Sequence, residues 1–337
     1  MPREVTVVGK RILFAALAAF AIIAAAAEPA AAQSYPNRPV KIIVPFAPGG
    51  PTEFIIRLTA DRLTGMLGQA FVIENRPGGG GGTVGAKSVA VAEPDGYTLL
   101  FSSPGPLVTA AAIYKNLDYD PIKSFAPIAM VIYAPQMLVV HPSVPATTVP
   151  EFVAWLKAQD GKVSYASSGT GQSPHLSGAW FLQLTGTKAE HIPYRGAAPA
   201  LQDLTAGVTQ FFFDNLTTGI EFVRAGKLRA LGITSAQRNP LTPELVPICE
   251  TMPELKPFDV STWFGVFLPA GTPRPIVDSL NTQMKIWLDD AKTQERFKSM
   301  AGFPVYGTPE QFDAFVNAQI ALWKSVIDKE GLKLDVN

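Results

Sequence analysis

PVKIIVPFAPGG (39–50) is an apolar, β-branched run that stops at the turn Ala47-Pro48-Gly49-Gly50. The segments on its C-terminal side decide the fold. EFIIRLTADRLTGML (53–67) has apolar residues at 54, 55, 58, 63, 66 and 67, the stripe of a core-facing helix. QAFVIENRP (69–77) returns to strand, and the glycine run 78–82 opens a second helix near TVGAKSVAVA. Pro94-Asp95-Gly96 then turns into the strand YTLLFSS (97–103). The order βαβαβ predicts an α/β fold with a doubly wound, mainly parallel sheet.

The pattern repeats downstream. APIAMVIYAPQMLVVHP (126–142) starts a second block, whose first helix opens on the capping box Thr148-Val149-Pro150-Glu151. Strands KVSYAS (162–167), HIPY (191–194), TQFFFD (209–214) and KLRALGIT (227–234) alternate with helices. TWFGVFLPA (262–270) reads as a returning strand. A last helix opens on Thr308-Pro309-Glu310-Gln311, and its residues Phe312, Phe315, Ile320, Leu322, Trp323 and Ile327 are expected to pack on the first sheet.

The chain has 337 residues, with 28 Lys+Arg balanced by 28 Asp+Glu. A neutral chain carries no global field to hold nucleic acid or an anionic membrane. One cysteine excludes an internal disulfide and a Cys-based zinc site, and three histidines leave little for a His-rich metal centre. No metal and no cofactor are expected. At the start, Arg3, Lys10 and Arg11 precede the apolar run 12–27 and the tripeptide Ala30-Ala31-Ala32. This reads as a secretory signal over 1–32, cleaved near Ala32, because the apolar run is short of the ~20 residues that span a bilayer. A Gram-negative periplasm is the expected location.

Ligands of open α/β sheets bind beyond the carboxyl ends of strands, where helix N-termini offer free N–H groups to anions. The loops at 47–52, 101–106, 168–173, 195–198 and 214–218 meet that description, and Ser102, Ser103, Thr170, Ser173, Thr217 and Thr218 add hydroxyls. Recurrence in two blocks points to two lobes closing on a small anion. Gly80-Gly81-Gly82-Thr83-Val84-Gly85 satisfies a dinucleotide fingerprint, but no acidic residue ends a strand about 20 residues on, so a surface turn is the better reading. Gly171-Gln172-Ser173-Pro174-His175 lacks the closing glycine of a nucleophile elbow. Glu53, four residues before Arg57, is read as orienting the first loop rather than touching an anion. Phe46, at a strand end, is placed against the ligand. Asp214 is open between a ligand contact and a local helix cap.

PVKIIVPFAPGG (39–50), VIENRPGGGGGTVGA (72–86), PDGYTLLF (94–101), YASSGTGQSPHL (165–176), IPYRGAAPAL (192–201), AGKLRALGIT (225–234) and PAGTP (269–273) occur here in that order. As a set they resemble the Bug-type extracytoplasmic solute receptors, the binding proteins of tripartite tricarboxylate transporters. The resemblance covers essentially the whole chain after the leader. It implies a type II-like periplasmic binding protein with a cleft between two α/β domains. Residues 33–137 with 247–337 would form the first and 138–246 the second.

It further implies a ligand carboxylate held by Phe46, Pro48, Gly49, Gly50 and Thr52, by Tyr194, Arg195, Gly196 and Ala197, and by Ser168 and Gly169. Ser102 joins these as a loop hydroxyl, and Asp214 as a polar contact, often through water. Glu53 stands where the family commonly has Asp, which bears on the shape of the first loop. The implied partners are a small carboxylate and membrane permease subunits, with the receptor a monomer and no catalytic residues. The aromatic FFFD (211–214) favours an aromatic acid such as terephthalate over an aliphatic dicarboxylate. The rival readings are a secreted α/β hydrolase, a ligand-sensing subunit of a signalling system and a dinucleotide oxidoreductase.

Overall fold

The computed structural model describes residues 35–330, except Gly50, Lys115, Met300 and Ala301. The signal read over 1–32 lies outside the described residues.

β1 (Val40–Val44) is fully buried at Val40, Ile42, Ile43 and Val44. α1 (Pro51–Leu67) starts on a proline, whose missing N–H costs nothing in a first turn. β2 (Phe71–Asn75) leads into the glycine run and α2 (Thr83–Ala90). Gly85, the last glycine of the motif Gly80-Gly81-Gly82-Thr83-Val84-Gly85 and already inside α2, is a packing device rather than part of a loose surface turn. A Cβ on Gly85 would lie 2.7 Å from Pro45 Cα and 2.8 Å from the Arg76 carbonyl oxygen, so only glycine lets α2 approach the end of β1. β3 (Thr98–Ser102) completes the first unit. After it come a buried π-helical turn (Gly105–Thr109) and α3 (Ala110–Ile113), neither of which the sequence pattern announces.

β4 (Phe125–Val140) is the spine of the molecule. α4 (Val149–Gln159) begins at the anticipated capping box: Thr148 Oγ1 accepts from the Glu151 N–H at 3.3 Å and Glu151 Oε2 accepts from the Thr148 N–H at 3.3 Å. Thr148→Ala is expected to lower the unfolding free energy by about 1 kcal/mol, read from the urea midpoint. Then come β5 (Ser164–Ser167), α5 (Ser173–Thr185), β6 (Glu190–Pro193), α6 (Ala197–Thr205), β7 (Phe211–Asn215), α7 (Leu216–Arg224) and β8 (Arg229–Ile233). The chain returns through β9 (Ser261–Pro269), α8 (Arg274–Leu288), α9 (Ala291–Ser299), the short β10 (Phe303–Pro304) and α10 (Pro309–Glu330).

The strand order is β2-β1-β3-β9-β4-β7-β5-β6, with β8 and β10 also on β4. β1 runs parallel to β2 and β3, and β5 runs parallel to β6 and β7. The joins through β9 and β4 are antiparallel. β4 pairs with β9 as far as Pro135, and with β7 from Gln136 onward. One strand therefore serves both parts of the sheet, and the loops beyond the parallel strands of each part meet near this switch.

α10 opens on the second capping box, with reciprocal Thr308–Gln311 bonds at 2.9 and 3.2 Å. Phe312 packs on Trp263 and Phe267 of β9, at centroid distances of 5.5 and 5.0 Å. The expectation that the whole apolar face lies on the first sheet needs correcting. Trp323 meets Trp180 of α5, 5.9 Å between rings, and Leu322 is exposed. The helix therefore bridges both parts of the fold. Among the described residues no helix is long and apolar enough to cross a membrane, and no cluster of three or more His, Cys, Asp or Glu could hold a metal.

Candidate functional site

The loops after β1, β3, β5, β6 and β7 converge on a recess of about 30 Å3. One wall is Phe46, Ala47, Thr52 and Ser103, facing Thr262 and Phe264 of β9. The other is Ser168, Gln172, Pro174, Gly196, Ala197 and Asn215. None of these side chains is charged. Four helices of nine residues or more begin here: Thr52 is in the first turn of α1, Pro174 of α5 and Ala197 of α6, and Asn215 directly precedes α7. Each end carries N–H groups without an intrahelical partner and a partial positive charge. The recess therefore suits an anion while offering it no counter-ion.

The first loop is fixed from behind. Asn75 Nδ2 donates to the Phe46 carbonyl at 3.0 Å and to Glu53 Oε2 at 3.0 Å. Glu53 is buried and paired with Arg57 at 2.5 Å. Its carboxylate is thus occupied in orienting the loop and does not line the recess. Across the cleft, Gly49 and Gly196 face the opposite loop at van der Waals range. Their Cβ positions would sit 3.4 Å from Ala198 Cβ and 3.8 Å from the Ala47 carbonyl oxygen.

The second loop rests on histidines. The Gly171 N–H donates to His175 Nδ1 at 3.0 Å, and His175 stacks on His191 with 3.9 Å between centroids. Burial, aided by His191, pulls the His175 pKa down to about 3, so the ring is neutral at physiological pH. His191 Nε2 lies 2.6 Å from Ser167 Oγ, which also accepts from the Gly169 N–H. His175 is committed to the backbone of its own loop, a structural task rather than activation of Ser173.

Of the residues expected at the site, Phe46, Thr52, Ser168, Gly196 and Ala197 line the recess. Gly169, Tyr194 and Arg195 line a neighbouring groove of about 500 Å3, together with the glycine run. The Tyr194 hydroxyl is turned away to Asp203, 2.6 Å, and burial with that bond raises its pKa to about 12. Pro48 and Gly49 are exposed at the rim, and Gly50 is outside the described residues.

Ser102 and Asp214 are fully buried and point inward; Ser103 and Asn215, each one residue on, line the recess instead. Successive strand residues face opposite ways, so the exact strand end decides which of the two faces the ligand. Gln172 carries no site signature in the sequence. Its side chain reaches Ser103 and Gly81, contacts 69 and 91 positions away that no local pattern signals.

Residues 55–332 match the family described as the tripartite tricarboxylate transporter family receptor. The protein BugT of Bordetella pertussis is 35% identical over 324 residues, 96% of this chain and 98% of that one. A solved periplasmic binding protein, BugD, is 36% identical with a TM-score of 0.84, covering 89% of this chain and 99% of its own. Rpa4515 of R. palustris, solved with adipate, is 34% identical with a TM-score of 0.85, covering 88% of this chain and 99% of its own. The chain therefore belongs to the tripartite tricarboxylate transporter receptor family, with the fold of a periplasmic solute-binding protein.

Proposed function

We propose that this receptor captures a small aliphatic dicarboxylate in the recess and presents it to the membrane permease subunits of a tripartite tricarboxylate-type transporter. The observation that carries the reading is the uncharged recess on which four helix N-termini converge. A carboxylate there gains N–H donors and dipole attraction without the desolvation of a paired cation. The family is one of non-enzymatic receptors, so binding itself is the task.

The hydroxyls of Thr52 and Ser168 and the main chain around Phe46, Gly196 and Ala197 hold one carboxylate. The exposed rim residues Pro48 and Gly49 close over it. The chain on each side of the β4 switch supplies one wall of the recess, which supports closure of two lobes, 33–137 with 247–337 against 138–246, on the ligand. The signal over 1–32 delivers the receptor to the periplasm as a monomer.

Adipate in Rpa4515 supports the dicarboxylate class. The aromatic alternative drew on FFFD, but Phe211, Phe212 and Phe213 are all core residues and none lines the recess.

Thermal unfolding of residues 33–337, refolded to strip bound ligand, tests this against aliphatic dicarboxylates, tricarboxylates, acidic amino acids and aromatic acids. An aliphatic dicarboxylate at a hundredfold excess over its dissociation constant should add about 2.7 kcal/mol of stability. A shift with an aromatic acid alone, or with no acid, would overturn the proposal.

A further inference from the structure

We propose that Gln172 sets the length of ligand this receptor accepts, by walling the recess off from the groove beside it. The inference rests on the dicarboxylate reading and deepens it. The recess and the groove share three lining residues, Phe46, Ser168 and Gln172, so these form the partition. The two spaces differ greatly, about 30 against about 500 Å3. The smaller is the tighter of the two, so it favours short ligands over long ones.

The Gln172 side chain is the part of the wall fixed at its tip. Ser103 Oγ donates to its Oε1 at 3.1 Å, and its Nε2 donates to the Gly81 carbonyl at 2.6 Å. It is 5% exposed. A third neighbour makes room for it: a Cβ on Gly105 would lie 2.3 Å from Nε2, so the amide seats only because residue 105 is glycine. The side chain thus spans from the start of α5 to the end of β3 and the glycine run, closing the passage at both ends of its amide.

The groove beyond the partition has the chemistry of a distal subsite. Arg195 is exposed in its lining, and no carboxylate lines it. With the amide in place a ligand must fit on the recess side. Without it, the two spaces join, and a longer chain can run from the helix N-termini to Arg195.

The test is calorimetric titration of the refolded protein, Gln172→Ala and Gln172→Leu with unbranched dicarboxylates from malonate to suberate. The wild-type protein should bind the short acids better than the long ones. Gln172→Ala should raise the long-to-short affinity ratio about tenfold or more, the scale on which an apolar pocket discriminates by size. Gln172→Leu keeps the bulk and should keep the wild-type preference.

A uniform loss of affinity at every length in Gln172→Ala overturns the partition, as does an equal change of ratio in Gln172→Leu or a wild-type preference for long acids. If Gln172→Ala does not fold, Gln172→Ser carries the same test. Failure of the wild-type protein to bind any acid of the series overturns the dicarboxylate reading, and this inference with it.

Discussion

The unfolding free energy of the wild-type protein is expected to fall relative to that of Asp214→Asn as pH rises, by about 3 kcal/mol between pH 4 and 7. Asp214 is fully buried, and its Oδ2 accepts from the Thr218 hydroxyl at 2.9 Å. Burial raises the pKa from 3.8 to about 7, against the lowering by the Thr218 hydroxyl and the Asn215 backbone. The folded state therefore holds a proton that the unfolded chain releases above about pH 4. Stability from this group is complete below that pH and is lost as pH rises through 7.

His175 works in the opposite direction over nearly the same window. Its folded pKa, about 3, lies below the ordinary value of 6.5, so the unfolded chain takes up a proton that the folded one does not. That raises stability as pH climbs from about 3 to 6.5. In the wild-type protein these two contributions oppose one another across this window. Asp214→Asn removes one of them and exposes the rise due to His175. A buried amide with an unmet donor shifts the variant by a constant, so the test is the slope of the difference, not its absolute value. Parallel urea-midpoint profiles from pH 4 to 7.5 would show that Asp214 does not titrate as its burial requires.

The parts of the fold legible in the sequence are those set by near neighbours. β1 with α1, the helix after the glycine run and both capping boxes each depend on residues within a few positions of one another, and each lies where the pattern puts it. The shared use of β4 is not legible. Its sixteen residues, Phe125–Val140, look like one apolar run, and only pairing with β9 up to Pro135 and with β7 from Gln136 assigns them to two parts of the sheet. β10 is two residues long and exists through its pairing with β4.

At the site, loops are legible and individual side chains less so. The residues that line the recess come from the anticipated strand ends and from β9. Ser103 and Asn215 stand where Ser102 and Asp214 are expected, because a one-residue difference in a strand end reverses the facing. Thr262 and Phe264 come from a returning strand that carries no loop signature at these positions.

Phe213→Ala is expected to lower the unfolding free energy by about 3–5 kcal/mol while leaving the choice between aromatic and aliphatic acids unchanged. The run Phe211-Phe212-Phe213 is aromatic because β7 is covered on both faces, not because it meets a ligand. Phe211 and Phe213 face one core cluster, where Phe213 lies 5.5 Å from Phe181 and 5.8 Å from Phe258 between ring centroids. Phe212 faces the other cluster, with Leu201 and Leu204 of α6 and Ile220 of α7. All three are fully buried. Truncating Phe213 leaves a cavity in a close-packed aromatic cluster, and rigid neighbours on a central strand limit how far it can collapse.

The aromatic surface at the recess comes instead from Phe46 and Phe264. Urea unfolding of Phe213→Ala gives the stability change, and titration of the folded variant with adipate and terephthalate gives the preference. A changed preference with stability intact would place Phe213 at the ligand. The expected opposite, lost stability with selectivity intact, assigns the phenylalanine run to the scaffold and leaves selectivity to the loops that meet beside β4.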